Sequence, residues 1–168
     1  HKTGKAETDR TSIGLYFAKK PVQKQVRIWP LTNLGINIAP NDAHQEVTAS
    51  MKVPVDVHAL TITPHMHLLG KEMKVTATFP DGTKKDMVWV KDWDYRWQDS
   101  YTYREPLALP KGTQLDLTAY FDNSTANPLN PNNPPKRVTF GEQTTDEMCF
   151  AFIEFTLDQE PATQFRPA

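Results

Sequence analysis

The chain has 168 residues, enough for one domain with a proper core. Its 19 basic and 20 acidic residues are spread without a basic block, which argues against nucleic acid as a partner. No apolar run reaches the length of a membrane span. Cys149 is the one cysteine, so an internal disulfide is excluded, while the compartment stays open. Proline is abundant, at 14 residues, and helix-favouring runs are scarce, which points to an all-β chain with long connections. Residue 1 is His rather than Met, so the expectation is a piece of a longer chain with any export signal upstream.

In chain order, the polar stretch from His1 to Arg10 precedes a first expected strand, Ser12 to Ala18. Val26 to Leu31 alternates apolar and polar residues and reads as a second strand. A loop rich in Asn, Gly and Pro runs from Asn33 to Asp42. Glu46 to Val53 alternates again, with Val47, Ala49, Met51 and Val53 on one side. An apolar run from Val53 to Ile62 reads as a buried strand bounded by Pro54 and Pro64. Glu72 to Phe79 and Lys84 to Val90 flank Pro80-Asp81-Gly82-Thr83, a hairpin signal. An aromatic-rich stretch runs from Trp89 to Tyr103; its tryptophan cluster from Trp89 to Trp97 could form a binding platform for an aromatic or sugar substrate, but the plainer expectation is packing between that hairpin and the sheet. Leu109 to Thr113 is a turn and Gln114 to Phe121 a strand. A long Asn/Pro loop from Asp122 to Pro135 has the length of a functional loop or lid. Glu147 to Leu157 is a last strand, expected to be buried on both faces. About nine strands with turns between them predict a jelly-roll-like antiparallel β-sandwich in one domain spanning 1–168.

The chemistry concentrates at His65-Met66-His67, after the apolar run. In an extended chain residues two apart share a face, so His65 and His67 present two imidazoles side by side while Met66 points away. Such a pair is half of a metal site, although chance alone also supplies His-x-His pairs. The other histidines are His1, His44 and His58. His58 has the wrong parity to join unless the strand is bulged. Cys149 and Met148 are further options for a third ligand. A thioether beside two imidazoles would favour copper, above all Cu(I), whereas zinc sites rarely recruit Met. The plainer alternative for Met148 is core packing, and for Cys149 a small buried hydrophobe. Thr61, Thr63 and Gln143 are candidates for orienting the imidazoles. Asn123-Ser124-Thr125 matches an N-glycosylation acceptor.

Pro64-His65-Met66-His67-Leu68-Leu69-Gly70-Lys71, followed downstream by Gly141-x-x-Thr144-x-Asp146-Glu147-Met148-Cys149, resembles the C-terminal domain of the copper type II, ascorbate-dependent monooxygenases. That family includes the peptidylglycine α-hydroxylating and dopamine β-monooxygenases. Leu109 to Thr113 and the stretch from Asp122 to Pro128 resemble family features too, particularly of bacterial relatives, and His1 to Phe17 resembles the strand that crosses between the family's two domains. The resemblance implies a jelly-roll-like sandwich that carries one copper on His65, His67 and Met148. That copper would bind O2 and hydroxylate a C–H bond of a small organic substrate. It further implies an upstream domain of the same protein, holding an electron-transfer copper on three histidines, with ascorbate as reductant and a periplasmic or secreted location.

The departures narrow the expectation. No three-histidine site can be assembled from His1, His44 and His58, so the chain by itself is expected to be inactive. Peptide-hydroxylating members carry Arg two residues before the first motif His, and Asn and Tyr two and four residues after the Met. Here those positions are Thr63, Phe150 and Phe152, which points away from a peptide carboxylate and toward a less polar substrate. The family cysteine after the Met pairs in a disulfide, but Cys149 has no partner in this chain. Competing readings are a non-catalytic copper carrier on the same three residues, a purely structural sandwich, and a copper brace built on an N-terminal His1.

Overall fold

A computed structural model describes residues 4–17, 19–20 and 22–159. Its strands are β1 (Arg27–Thr32), β2 (Asn37–Ile38), β3 (Gln45–Lys52), β4 (Val57–Met66), β5 (Gly70–Thr78), β6 (Lys84–Val90), β7 (Tyr101–Leu109), β8 (Gln114–Phe121), β9 (Val138–Thr139) and β10 (Cys149–Leu157). One antiparallel sheet has the order β1-β10-β4-β7 and the other β3-β8-β5-β6, while β2 and β9 form a small third pair. The two four-stranded sheets make the expected β-sandwich, with ten strands rather than nine. Among the described residues there is no helix, and none is long and apolar enough to cross a membrane.

Alternation places the core. In the first sheet, Leu31, Ala59, Ile62, Met66, Cys149, Ala151, Ile153 and Phe155 point inward, all buried. In the second, Met73, Val75, Ala77, Leu115, Leu117, Ala119 and Phe121 meet them, again buried. The hairpin between β5 and β6 follows its signal: Gly82 takes a positive φ of 85°, and Asp81 Oδ1 accepts from the Thr83 N–H at 2.9 Å.

Several expectations are corrected. Ser12 to Phe17 forms no strand, and Ile13, Leu15, Tyr16 and Phe17 are exposed; Ala18 lies outside the described residues. The pattern states which side chains could be covered, but a strand also needs a neighbouring backbone, and no described strand lies alongside this one. Pro64 does not end its strand. β4 runs on to Met66, because beyond the Ile62–Tyr101 pair β7 no longer flanks it and a missing N–H is tolerated on that open side. β10 is fully buried only on its inner face; on the other, Phe150, Phe152 and Glu154 are half-buried and Thr156 alone is buried. The short β2 and β9 were not expected, since a two-residue pair leaves no periodicity to read.

The Asn/Pro loop is a packed connection rather than a lid. Asn123 is fully buried and its Nδ2 donates to the carbonyls of Ala39 at 3.0 Å and Lys136 at 2.7 Å. Asn130 Nδ2 donates to Asn123 Oδ1 at 3.0 Å, and Asn127 Nδ2 to the Asp122 carbonyl at 2.7 Å. The amides thus satisfy backbone groups that no strand reaches. The same burial removes Asn123 from the glycosylation reading, since its Nδ2 is committed and enclosed in the folded chain.

Between β4 and β5 the chain leaves one sheet and enters the other through His67-Leu68-Leu69. Gly70 makes this corner possible: a Cβ there would lie 2.8 Å from Met66 Cβ and 3.0 Å from Trp93 Cδ1. Gly70→Ala should therefore destabilise the chain by about 1–3 kcal/mol through overpacking, measured by urea unfolding. An unchanged midpoint would mean that the corner is slack.

Candidate metal centre

His65 lies near the end of β4 and His67 just past it. The alternation of β4 turns Pro64 and Met66 inward and His65 outward, toward a half-exposed position, while His67 at the corner is 5% exposed. The two rings sit 5.2 Å apart between centroids, at an interplanar angle of 85°.

Each ring is held by its Nδ1. His67 Nδ1 lies 3.0 Å from the Asp146 carbonyl, which can only accept, so Nδ1 carries the proton. His65 Nδ1 lies 2.5 Å from Gln98 Oε1. Gln98 Nε2 is occupied with the Tyr95 carbonyl at 2.8 Å, so its oxygen faces the ring and Nδ1 is again the donor. Both Nε2 atoms are thereby left with a lone pair. Burial lowers the pKa of His65, the Gln98 bond works against that, and His67 lowers it further. The imidazole is thus biased toward the neutral form that ligates metals.

The corner is clamped by Glu147, a fully buried carboxylate. Its Oε2 accepts the His67 N–H at 2.8 Å and the Met148 N–H at 3.1 Å, and its Oε1 accepts the Leu69 N–H at 2.7 Å. The His67 carbonyl accepts from Trp93 Nε1 at 3.1 Å, and the Leu69 carbonyl from the Asp122 N–H at 2.8 Å. All four backbone polar groups of His67 and Leu69 therefore have partners. Burial pushes the Glu147 pKa up to about 7 against the pull of the three N–H donors. Three donors on two oxygens are the environment of a carboxylate, which only accepts.

Glu147 also ties the backbone of Met148 to that of His67. The β4–β10 register pairs Phe150 with His65 and Cys149 with Met66. Just past this last pair, one carboxylate oxygen of Glu147 accepts both the His67 and the Met148 backbone N–H. The downstream motif thereby acquires a physical sense. A Cβ on Gly141 would lie 2.2 Å from Asp146 Oδ2, so only glycine lets the 141–146 loop close. That closure presents the Asp146 carbonyl to His67 and Glu147 to the corner.

A scan of family models decides the kinship: the C-terminal domain of copper type II ascorbate-dependent monooxygenases matches residues 36–166. The chain belongs to this family. A search of curated proteins finds no match. Copper is the metal of the family, and its chemistry is monooxygenation, with O2 and an organic substrate as reactants.

Within this monooxygenase domain the other expected donors are dispersed. β4 does carry an irregularity, between Ala59 and Thr61, which turns His58 to the same face as His65. However, His58 stands at the opposite end of the strand, paired with Asp158 at 2.5 Å. His44 stacks on Tyr120 at 4.2 Å, on β8 of the other sheet. His1 lies outside the described residues. Cys149 points into the core, where burial and the nearby Glu147 push its thiol up to about 12. Among the described residues no three His, Cys, Asp or Glu side chains are grouped to hold a metal. The imidazoles are oriented by Gln98 and Asp146, not by Thr61, Thr63 or Gln143; Thr63 is bonded to the Ser100 hydroxyl at 2.7 Å. The aromatic stretch is corrected as well. Trp93 and Tyr95 pack around His67, whereas Trp97 is exposed and Trp89 is flanked by Lys74 and Lys91. Gln98 and Glu147 were missed as functional residues. Glu147 had one signal, a charge set directly before a buried strand; Gln98 had none.

Replacing Glu147 with Ala should cost about 3 kcal/mol or more, because three N–H groups lose a buried acceptor. Glu147→Gln, which turns an NH2 toward one of those donors, should be intermediate in denaturant unfolding. A loss below about 1 kcal/mol for the alanine variant would show that water substitutes for the clamp.

Proposed function

We propose that this domain holds one copper ion on His65 Nε2, His67 Nε2 and the Met148 thioether, and that it is the O2-binding half of a monooxygenase that hydroxylates C–H bonds. The observation that carries this reading is the preset pair of imidazoles, each with Nδ1 tied, with Met148 bonded through its backbone to the carboxylate that holds the His67 corner. Two imidazoles bound at about 2 Å with a tetrahedral opening have ring centres about 5 Å apart. The 5.2 Å found between His65 and His67 matches that spacing. With no further His, Cys, Asp or Glu grouped among the described residues, the donor set lacks the third ligand that zinc prefers, and the thioether selects a softer ion.

Copper held there would supply the one-electron redox chemistry and the O2 affinity that the reaction needs. The chain's own residues do the rest. Gln98 and the Asp146 carbonyl fix the tautomers and raise the basicity of the ligating nitrogens. Glu147 bonds the backbone N–H groups of both His67 and Met148, which supports a ligand segment held close to the histidines before metal arrives. Core packing under Met66 and Cys149 keeps both strands from shifting. Electrons would come from ascorbate through an upstream copper domain of the same protein, of which this sandwich would be the C-terminal part, in the periplasm or outside the cell.

Titration of the reduced chain with Cu(I) should give one tight site per chain, with sulfur visible in X-ray absorption. Met148→Ala should lose the sulfur signal, and His67→Ala should weaken binding by about 10–100-fold or more, the range that even the loss of an outer partner reaches. Binding indifferent to both substitutions would sink the three-ligand site. A tight site without oxygen chemistry once paired with the upstream domain would instead identify a copper carrier.

A further inference from the structure

The connection between β6 and β7 carries a tight turn whose backbone is fixed at the surface. The Asp94 carbonyl accepts the Trp97 N–H at 2.9 Å, so Tyr95 and Arg96 are its two central residues. The Asp94 carboxylate accepts the Arg96 backbone N–H at 2.9 Å, the Arg96 Nε at 3.0 Å and the Arg96 Nη2 at 2.7 Å. The guanidinium, and after it the backbone N–H, hold the Asp94 carboxyl down to about 2. An ion pair this exposed adds little to folding stability, so what it fixes is the shape of the turn.

From that turn Tyr95 reaches both imidazoles. Its ring meets the His67 ring at 87°, with centroids 6.1 Å apart. Its carbonyl accepts from Gln98 Nε2 at 2.8 Å, and Gln98 Oε1 faces His65 Nδ1. A side-chain amide has a donor end and an acceptor end, and a carbonyl only accepts. While the Tyr95 carbonyl stands at one end of the amide, the NH2 belongs there and the oxygen faces His65. With the carbonyl displaced, the amide is free to turn over and offer its NH2 to Nδ1, which moves the ring proton to Nε2. A neutral imidazole in water already favours its proton on Nε2, so the ring itself does not oppose that change. His67 is protected from it, because its Nδ1 donates to the Asp146 backbone carbonyl, which has no donor end to present.

We infer that Tyr95 is a positioning residue for the metal ligands: its carbonyl, set by the Asp94–Arg96 turn, selects the His65 tautomer that keeps Nε2 free. A pair of charges at the surface thereby governs a ligand that neither of them touches. The inference deepens the copper reading above and rests on it for what the free Nε2 binds, whereas the tautomer is a property of the metal-free chain. Only chains with the proton on His65 Nδ1 can ligate through Nε2, so apparent metal affinity scales with their fraction.

The test follows the metal-free chain with 15N-labelled histidine, at a pH above the ordinary histidine range so that the rings are neutral. Long-range 1H–15N spectra show which ring nitrogen carries the proton. The wild type should show Nδ1–H at both His65 and His67. Asp94→Ala should move His65 mostly to Nε2–H while His67 and the urea midpoint stay as they were, a pattern that loosening of the fold does not give. Arg96→Ala leaves the Asp94 bond to the backbone N–H and should move His65 in the same direction by less. Tyr95→Phe keeps both ring and carbonyl and should keep the wild-type signature. With Gln98→Glu both ends of the side chain accept, so adding Asp94→Ala should no longer move His65. Nε2–H at His65 in the wild type, an unmoved His65 in Asp94→Ala, or both rings shifting together would each overturn the inference. So would a shift that persists with Gln98→Glu. Cu(I) affinity, titrated separately, should fall about fivefold in Asp94→Ala, following the competent fraction. Copper binding that fails in the wild type, or that ignores a shifted tautomer, would fell the copper reading alone.

Discussion

The arrangement of this domain depends on a single buried carboxylate. Glu147 receives N–H bonds from His67, Leu69 and Met148, three residues that belong to two distant parts of the chain. Burying an anion is costly unless hydrogen bonds meet it, and here every one of its partners is a fixed backbone amide. The same bonds satisfy a corner that would otherwise expose orphan N–H groups between two sheets. Stability and local geometry thus share one origin: the interaction that lets the chain pass from β4 to β5 also ties the Met148 backbone to that of His67.

Around that clamp, neighbouring features become interpretable together. Gly70 lets the corner press against Met66 and Trp93, and Gly141 lets the preceding loop close over Asp146. Trp93, Tyr95 and Gln98, all from the connection between β6 and β7, reach the two histidines from the other side. The imidazoles are therefore held by one backbone carbonyl, a side-chain amide and packed rings, and not by charged partners. Such a site can keep two neutral nitrogens facing outward without a metal to organise them.

The outer face next to this site departs from the polar surface usual on the solvent side of an antiparallel sheet. A stacked pair of phenylalanines there adds nothing to the core, which lies on the opposite face of the same strands.

The sequence by itself determined the class of fold and the family. Period-two alternation, turn residues at Pro80 to Thr83 and Leu109 to Thr113, and the two spaced motifs are local signals, and local signals survive in one dimension. The same signals failed at Ser12 to Phe17, because a strand is a property of two backbones, and failed to find β2 and β9, which are too short to repeat. Only the tertiary structure decided which side chains orient the imidazoles. Gln98 lies 33 residues from His65 and Asp146 lies 79 from His67, at no fixed spacing. It also decided that Asn123 is an internal strut, that His58 stays apart despite the irregular strand, and that Glu147 is a clamp. Each of these is a contact between residues far apart in the chain. Such contacts depend on how the two sheets meet, and no periodicity along a single strand records that.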